Sequence, residues 1–239
     1  MTNFSVFYGF AIALVGFSGV ALAQGDAGRD EPPAKFMAES ASPVAKSDRI
    51  FREALACAVK REPARSRAIL STAPGSKEEA NAGWGFDDRV EECATSVASI
   101  GFSASLLRGG VAEIFYHREF PNGLVVEAPA DEAAVAWTQP RLDRGGDQQL
   151  ELLHSAARCL VVAQPAQVRT LLAAEPFGSA EQQALDEIQK SLGPCLFKGV
   201  KFTASKQTLR GLLAEAAFAY GIARRDGFSG PRTAAAAKN

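Results

Sequence analysis

The four cysteines are the residues of this chain whose type and spacing speak most directly of chemistry. Cys57 and Cys93 stand 36 positions apart, and so do Cys159 and Cys195. Thiols that meet outside the cytosol oxidise to disulfides, and four of them allow three pairings. Two other fates compete: buried reduced thiols and a four-cysteine zinc site. Zinc is the weaker of the two, because no two cysteines lie close enough in sequence to make the usual ligand pair.

Other chemistry is sparse. His117 and His154 are the two histidines, and neither joins a His/carboxylate cluster that would ligate a metal. Gly101-Phe102-Ser103-Ala104-Ser105 resembles a nucleophile elbow, but Ser105 stands where the final glycine belongs and no strand precedes it. No glycine-rich phosphate loop follows a strand. The expectation is no catalytic residue, no metal and no cofactor. The polar residues that remain are Arg67, Glu79, Arg108 and Glu113, and a second set, Arg169, Glu181, Arg210 and Glu215, each 102 positions further on.

That offset runs through the chain. Between residues 57 and 113, sixteen positions are identical to the residue 102 places later, where common residue frequencies would give roughly four. They include Cys57/Cys159, Pro63/Pro165, Pro74/Pro176, Cys93/Cys195, Ser103/Ser205, the run Leu107-Arg108-Gly109 against Leu209-Arg210-Gly211, and Ala112-Glu113 against Ala214-Glu215. Self-similarity at a fixed offset is the signature of a duplicated structural unit. If both copies fold alike, the disulfides are Cys57–Cys93 and Cys159–Cys195, and each contributes roughly 3–4 kcal/mol on chain-entropy grounds.

The elements that must position these residues read as four helical segments per copy. The first spans about Ser47 to Arg61, with Ile50, Ala54, Cys57 and Ala58 at helical spacing. Pro63 opens the second, which ends near Leu70 before Pro74. The third starts at Ser76 or Lys77 and carries the stripe Phe86, Val90, Cys93 and Val97, weakened by Gly83 and Gly85 around Trp84. Its counterpart carries Leu185, Ile188, Leu192 and Cys195. Ser103 and Ser205 are N-cap residues for the fourth, and Gly109 and Gly211 inside it imply close approach of another helix. Glu113 follows Arg108 by five positions, about 140° round a helix, so the two cannot pair along one face. The expected pairs cross between helices: Arg67 with Glu113, and Arg169 with Glu215. As a competing use, Arg108 and Arg210 hold an anionic ligand between the copies.

Residues 1–23 contain no charged side chain, are apolar from Val6 to Val20, and end in Ala21-Leu22-Ala23. This is a signal-peptide pattern lacking only a basic n-region; an uncleaved anchor is the alternative. Residues 24–46, rich in Gly, Asp, Ser, Ala and Pro, read as a flexible linker. Residues 119–146 link the copies, with a short helix expected around Asp131 to Trp137 and a brief extended piece at Leu124-Val125-Val126. Residues 226–239 read as a disordered tail. The copies themselves cover 47–118 and 147–225.

The pattern of Cys57, Pro63, Arg67, Leu70, Pro74, Cys93, Ser103, Leu107-Arg108-Gly109 and Ala112-Glu113, with its second occurrence, resembles uncharacterised exported proteins of sphingomonad-type bacteria. The resemblance covers about two thirds of the chain. It implies export and a paired-cysteine helical unit, and it carries over no activity, cofactor or catalytic residue.

The expected fold is therefore all-α: two tandem pseudo-symmetric four-helix units, each with an internal disulfide. The expected setting is periplasmic or secreted. With a formal net charge of −1, 22% charged residues and 47% apolar ones, the chain is globular in composition and lacks the basic surface a nucleic-acid partner requires. The leading functional expectation is a non-enzymatic module that binds an envelope protein or a small ligand, off the membrane once the signal is cleaved. The alternatives are an envelope enzyme with its site in the groove between copies, and a scaffold tethered through the N-terminal segment.

Overall fold

The computed structural model describes residues 43–94, 101–126, 132–142, 146–197 and 204–227, and every regular element among them is helical. In chain order they are α1 (Pro43–Arg61), α2 (Pro63–Ser71), α3 (Lys77–Gly83), α4 (Phe86–Cys93), α5 (Ala104–Glu119), α6 (Glu132–Trp137), α7 (Gln148–Ala163), α8 (Pro165–Ala173), α9 (Ser179–Lys190), a 3-10 turn at Gly193–Cys195, and α10 (Lys206–Arg225). No described helix is long and apolar enough to cross a membrane.

Local chemistry sets most of these ends. Pro63 and Pro165 each start a helix one residue after the preceding one stops, where a missing N–H costs nothing. Ser103 and Ser205 accept hydrogen bonds from the Leu106 and Thr208 amides, and Asp147 does the same for Leu150, each satisfying an otherwise orphaned first-turn donor. The expected third helix of the first copy is broken into α3 and α4. Gly85 adopts φ 71°, a left-handed conformation that a continuing helix cannot contain, and Trp84 is left at the corner. Its counterpart α9 runs unbroken as far as Lys190. α1 begins at Pro43, ahead of the expected Ser47. Leu124 to Val126 form no strand. Val97, the signal segment, most of the linker and nearly all of the tail lie outside the described residues.

α5 and α10 pack on one another at the centre, α7 packs against α10, α1 against α4, and α8 against α9. Leu55, Val111, Phe115, Leu160, Leu171 and Leu213 are fully buried between them. Phe51 and Leu55, outside the expected stripe of α1, belong to this core. Cys57 is bonded to Cys93 and Cys159 to Cys195, with Cα atoms 6.0 Å and 5.6 Å apart. The bonds tie α1 to the end of α4 and α7 to the 3-10 turn.

The glycines of the central pair meet each other. A Cβ placed on Gly109 would stand 2.5 Å from the Cα of Gly211. Backbone lies against backbone there, so neither helix can yield by turning a side chain. Gly83, by contrast, has nothing within 4 Å of such a Cβ. Gly109→Ala is therefore expected to destabilise the protein by about 2–3 kcal/mol, in the range of an overpacked core, while Gly83→Ala is neutral or stabilising by up to about 1 kcal/mol. Urea denaturation of the two variants checks the contrast; equal midpoints would show that the α5–α10 contact is not tight.

Candidate functional site

The residues that could carry chemistry converge where α5 crosses α10. Arg108, on α5, reaches across to Glu215 on α10: Nε donates to Oε1 at 2.8 Å and Oε2 at 2.9 Å, and Nη2 to Oε1 at 2.7 Å. Its Nη1 donates to Glu79 Oε1 at 3.0 Å and to the Ile69 carbonyl at 2.7 Å. Nη2 also reaches the Leu70 and Thr72 carbonyls at 3.2 Å and 3.0 Å. Those carbonyls lie at the C-terminal end of α2, where the last turn has acceptors without helical partners. The guanidinium thus caps one helix while pairing with another.

Arg210, on α10, does the same in the opposite sense. Nε and Nη2 donate to Glu113 Oε1 on α5 at 2.9 Å and 2.7 Å. Nη1 donates to Glu181 Oε1 and the Leu171 carbonyl, both at 2.9 Å. Nη2 reaches the Leu172 and Ala174 carbonyls at 3.2 Å and 3.0 Å, at the end of α8. Each of these partners stands 102 residues from the corresponding partner of Arg108. The second oxygens of the outer glutamates correspond too: Glu79 Oε2 accepts from the Gly75 amide and Glu181 Oε2 from the Phe177 amide, both at 2.6 Å. Gly75 has φ 70° and Phe177 φ 62°. Phenylalanine accepts a conformation that costs an L residue about 1–2 kcal/mol, and its amide finds a carboxylate there.

Burial makes these charges interdependent. The Arg108 and Arg210 side chains are 4% and 2% exposed. Burial by itself would push the Glu215 carboxyl up, but Arg108 and then His154 hold it below the ordinary carboxylate range. Burial opposes ionisation of Glu113 in the same way, and His117, Arg210 and Arg52 together pull it far lower. Burial likewise works against the charge on Arg108, and Glu215 and Glu79 more than offset it, raising its pKa.

Beyond the central arginine, each inner glutamate has a further basic neighbour on another helix. Arg52 Nη1 on α1 donates to Glu113 Oε2 at 2.8 Å. His154 Nδ1 on α7 lies 3.5 Å from Glu215 Oε2. His117, half exposed, stands 3.8 Å from Glu113.

The expected ion pairs are not those formed. Arg67 pairs with Glu119 and lies 4.5 Å over the Phe115 ring, and Glu113 is taken by Arg210 and Arg52. The Arg169 stem lies along Gly123, and Glu215 is taken by Arg108. The reason is facial: Arg67 and Arg169 are exposed on α2 and α8, whereas Glu113 and Glu215 point inward. The anion-binding use of Arg108 and Arg210 also fails, since all five N–H groups of each guanidinium already have protein acceptors. Arg52, Glu119, Ile69 and Thr72 carry no identity at the 102 offset, and although Leu70 matches Leu172, a backbone carbonyl leaves no mark in a side-chain pattern, so sequence reasoning missed them. His154 falling opposite Arg52 was the visible signal for the fourth member of the network.

The cluster has the composition of an acid–base site, with Arg, Glu and His154 together, but it is shut from solvent. The cavity lined by Ala73, Pro74, Arg141 and Glu151 has room for about one water. No group of three or more His, Cys, Asp or Glu among the described residues could hold a metal. No protein-family model, curated protein or solved structure matches this chain.

Arg108→Met strands the buried carboxylates of Glu215 and Glu79, so it is expected to cost about 3–5 kcal/mol. The depressed Glu113 and Glu215 values add an acid dependence. Their stabilisation is complete above the ordinary value of 4.5 and is lost as pH falls below it. Urea titrations at pH 7 and pH 3.5 check both: Arg108→Met should narrow the difference between the two pH values, and a loss under about 1 kcal/mol at pH 7 would mean the network does not hold the helices together.

Proposed function

We propose that this chain is an exported, non-enzymatic binding or interaction module of the cell envelope, built from two tandem pseudo-symmetric helical units, and that it meets its partner through the corner between α3 and α4. The observation that carries the binding reading is Trp84, whose residue is 82% exposed. It occupies the break between two helices, and both helices carry exposed acidic side chains, Glu78 on α3 and Asp87, Asp88 and Glu91 on α4. A large indole left in water forgoes burial worth roughly 2–3 kcal/mol, and tryptophan is the residue type most enriched among interface anchors. The chemistry that fits the corner is a cationic segment of an envelope protein: a guanidinium stacks on the indole face while the carboxylates meet the remaining charge.

Two further observations support the architecture and the compartment. The tandem reading draws on the disulfides and the arginine contacts, which recur at an offset of 102. Export draws on the disulfides themselves, which persist in oxidising compartments, and on the signal pattern of residues 1–23.

The two parts are tested separately. Non-reduced mass spectrometry of the protein from an envelope fraction is expected to show loss of residues 1–23 and two intramolecular disulfides; a full-length, fully thiol protein in the cytosol would overturn export. For binding, a photo-cross-linking residue at the exposed position Asn81 is expected to give one discrete adduct in cells, reduced about tenfold by Trp84→Ala with no change in urea midpoint. An adduct indifferent to that substitution would overturn the corner as the contact.

A further inference from the structure

Arg108 and Arg210 have no donor left for a ligand, but arginines further along the same two helices do. α5 and α10 end side by side: Arg225 Nη1, in the last turn of α10, donates at 3.4 Å to Oε2 of Glu119, the last residue of α5. Glu119 Oε1 accepts from Arg67 Nη2 on α2. The Arg67 guanidinium lies 4.5 Å from the centre of the Phe115 ring, and that of Arg118 lies 5.1 Å from the same centre, so the two charges are at most about 10 Å apart. Three guanidiniums from three helices thus surround one carboxylate and one ring.

Their donors are mostly unspent. Arg118 is exposed and, its ring contact apart, has no hydrogen-bond acceptor or ion-pair partner among the described residues. Arg67 hydrogen-bonds through Nη2 alone, and the Arg225 bond is long. The Arg67 and Arg225 side chains are 45% and 61% exposed, so open N–H groups remain within reach of a ligand.

Positive charge is in excess here. Arg224 adjoins Arg225, and Arg169 lies along Gly123, just past the end of α5. Against these five arginines stand Glu119 and Asp226, the latter 3.9 Å from Arg225 Nε. The two helix C-termini add about one negative charge between them, which leaves the cluster cationic. Packing does not require it. At the offset of 102, Phe115, Arg118 and Glu119 correspond to Ala217, Tyr220 and Gly221, and Arg225 corresponds to Gly123. On the tandem reading, the other half does without a charge at any of those positions.

We propose that Arg67, Arg118 and Arg225 form a binding site for a phosphate-bearing anion, where α2 meets the ends of α5 and α10. A phosphate group has several acceptor oxygens and more than one negative charge, so it can take donors from two guanidinium forks at once. The fully buried Phe115 ring steadies Arg67 and Arg118, and Glu119 steadies Arg67 and Arg225, which lowers the ordering cost of binding. The site is separate from the Trp84 corner, which takes a cation, and does not rest on it.

The test follows the arginine Nε–Hε resonances of the mature chain. Titration with inorganic phosphate at pH 7.5 and constant ionic strength is expected to give saturable shifts at Arg67, Arg118 and Arg225. Arg118→Gln should weaken half-saturation about tenfold without moving the urea midpoint; should it not fold, Arg225→Gln gives the same readout. Arg65→Gln, at an exposed arginine on the same helix as Arg67, should leave binding as in the wild type. Vesicles of phosphatidylcholine with and without phosphatidic acid then identify the source. Co-sedimentation with the acidic vesicles alone assigns a lipid headgroup; saturable phosphate binding without co-sedimentation assigns a soluble phosphorylated ligand. Non-saturable phosphate shifts that sodium chloride reproduces, or equal half-saturation in the wild type and the glutamine variant, would overturn the site.

Discussion

A guanidinium withdrawn from water must find an acceptor for each of its N–H groups, and here two of them impose that requirement on the same helix crossing. Arg108 and Arg210 each take a carboxylate from the opposite helix and the free carbonyls from the end of a third helix. The location of α2 relative to α10, and of α8 relative to α5, follows from where those acceptors have to be. Apolar contacts alone would permit the helices to slide by a turn. The reciprocal charges do not, because a slip would strand four buried ions at once. The close approach at Gly109 and Gly211 is the steric half of the same constraint, since larger residues there would hold the backbones too far apart for the arginines to span.

How much of this the sequence displays depends on whether the cause is local. Ser103, Ser205, Pro63 and Pro165 act on their own first turns, and the helices start where those residues say they must. The cysteines pair within their own stretch, as the offset implied. The glycines announced that some helix comes close, but not that each glycine is the other's neighbour. The ion pairs were misassigned for a related reason. Helical geometry shows that Arg108 and Glu113 cannot meet on one face; it does not say which helix faces them. Arg67 looked like a partner because it recurs at the offset, yet its recurrence places it on an exposed face, over Phe115 and against Glu119. The break at Trp84-Gly85 was visible as a weakness, and only the left-handed φ of Gly85 turns weakness into a corner.

The charged cluster and Trp84 each stand contrary to their usual burial. The groups that would make an acid–base site, Arg108, Glu215 and His154, are turned inward, toward one another. The large indole of Trp84, which ordinary folding would bury, is turned out. Catalysis needs charged groups aimed at a space where a substrate can sit, and this cluster is aimed at itself. Its perturbed carboxylates are what any buried ion network produces, so they speak for architecture.

On the tandem reading, the places where the two halves agree and differ have a common explanation. Arg108, Glu113, Gly109 and their counterparts are tied across the crossing, so changing one member leaves a charge or a clash in the other half as well. The second cation is different. Removing Arg52 from the pattern, or replacing it as His154 does, still leaves each inner glutamate its central arginine and breaks no bond in the opposite half. Variation is cheapest at that position, and there it occurs: Arg52 stands beside Glu113, and His154 beside Glu215.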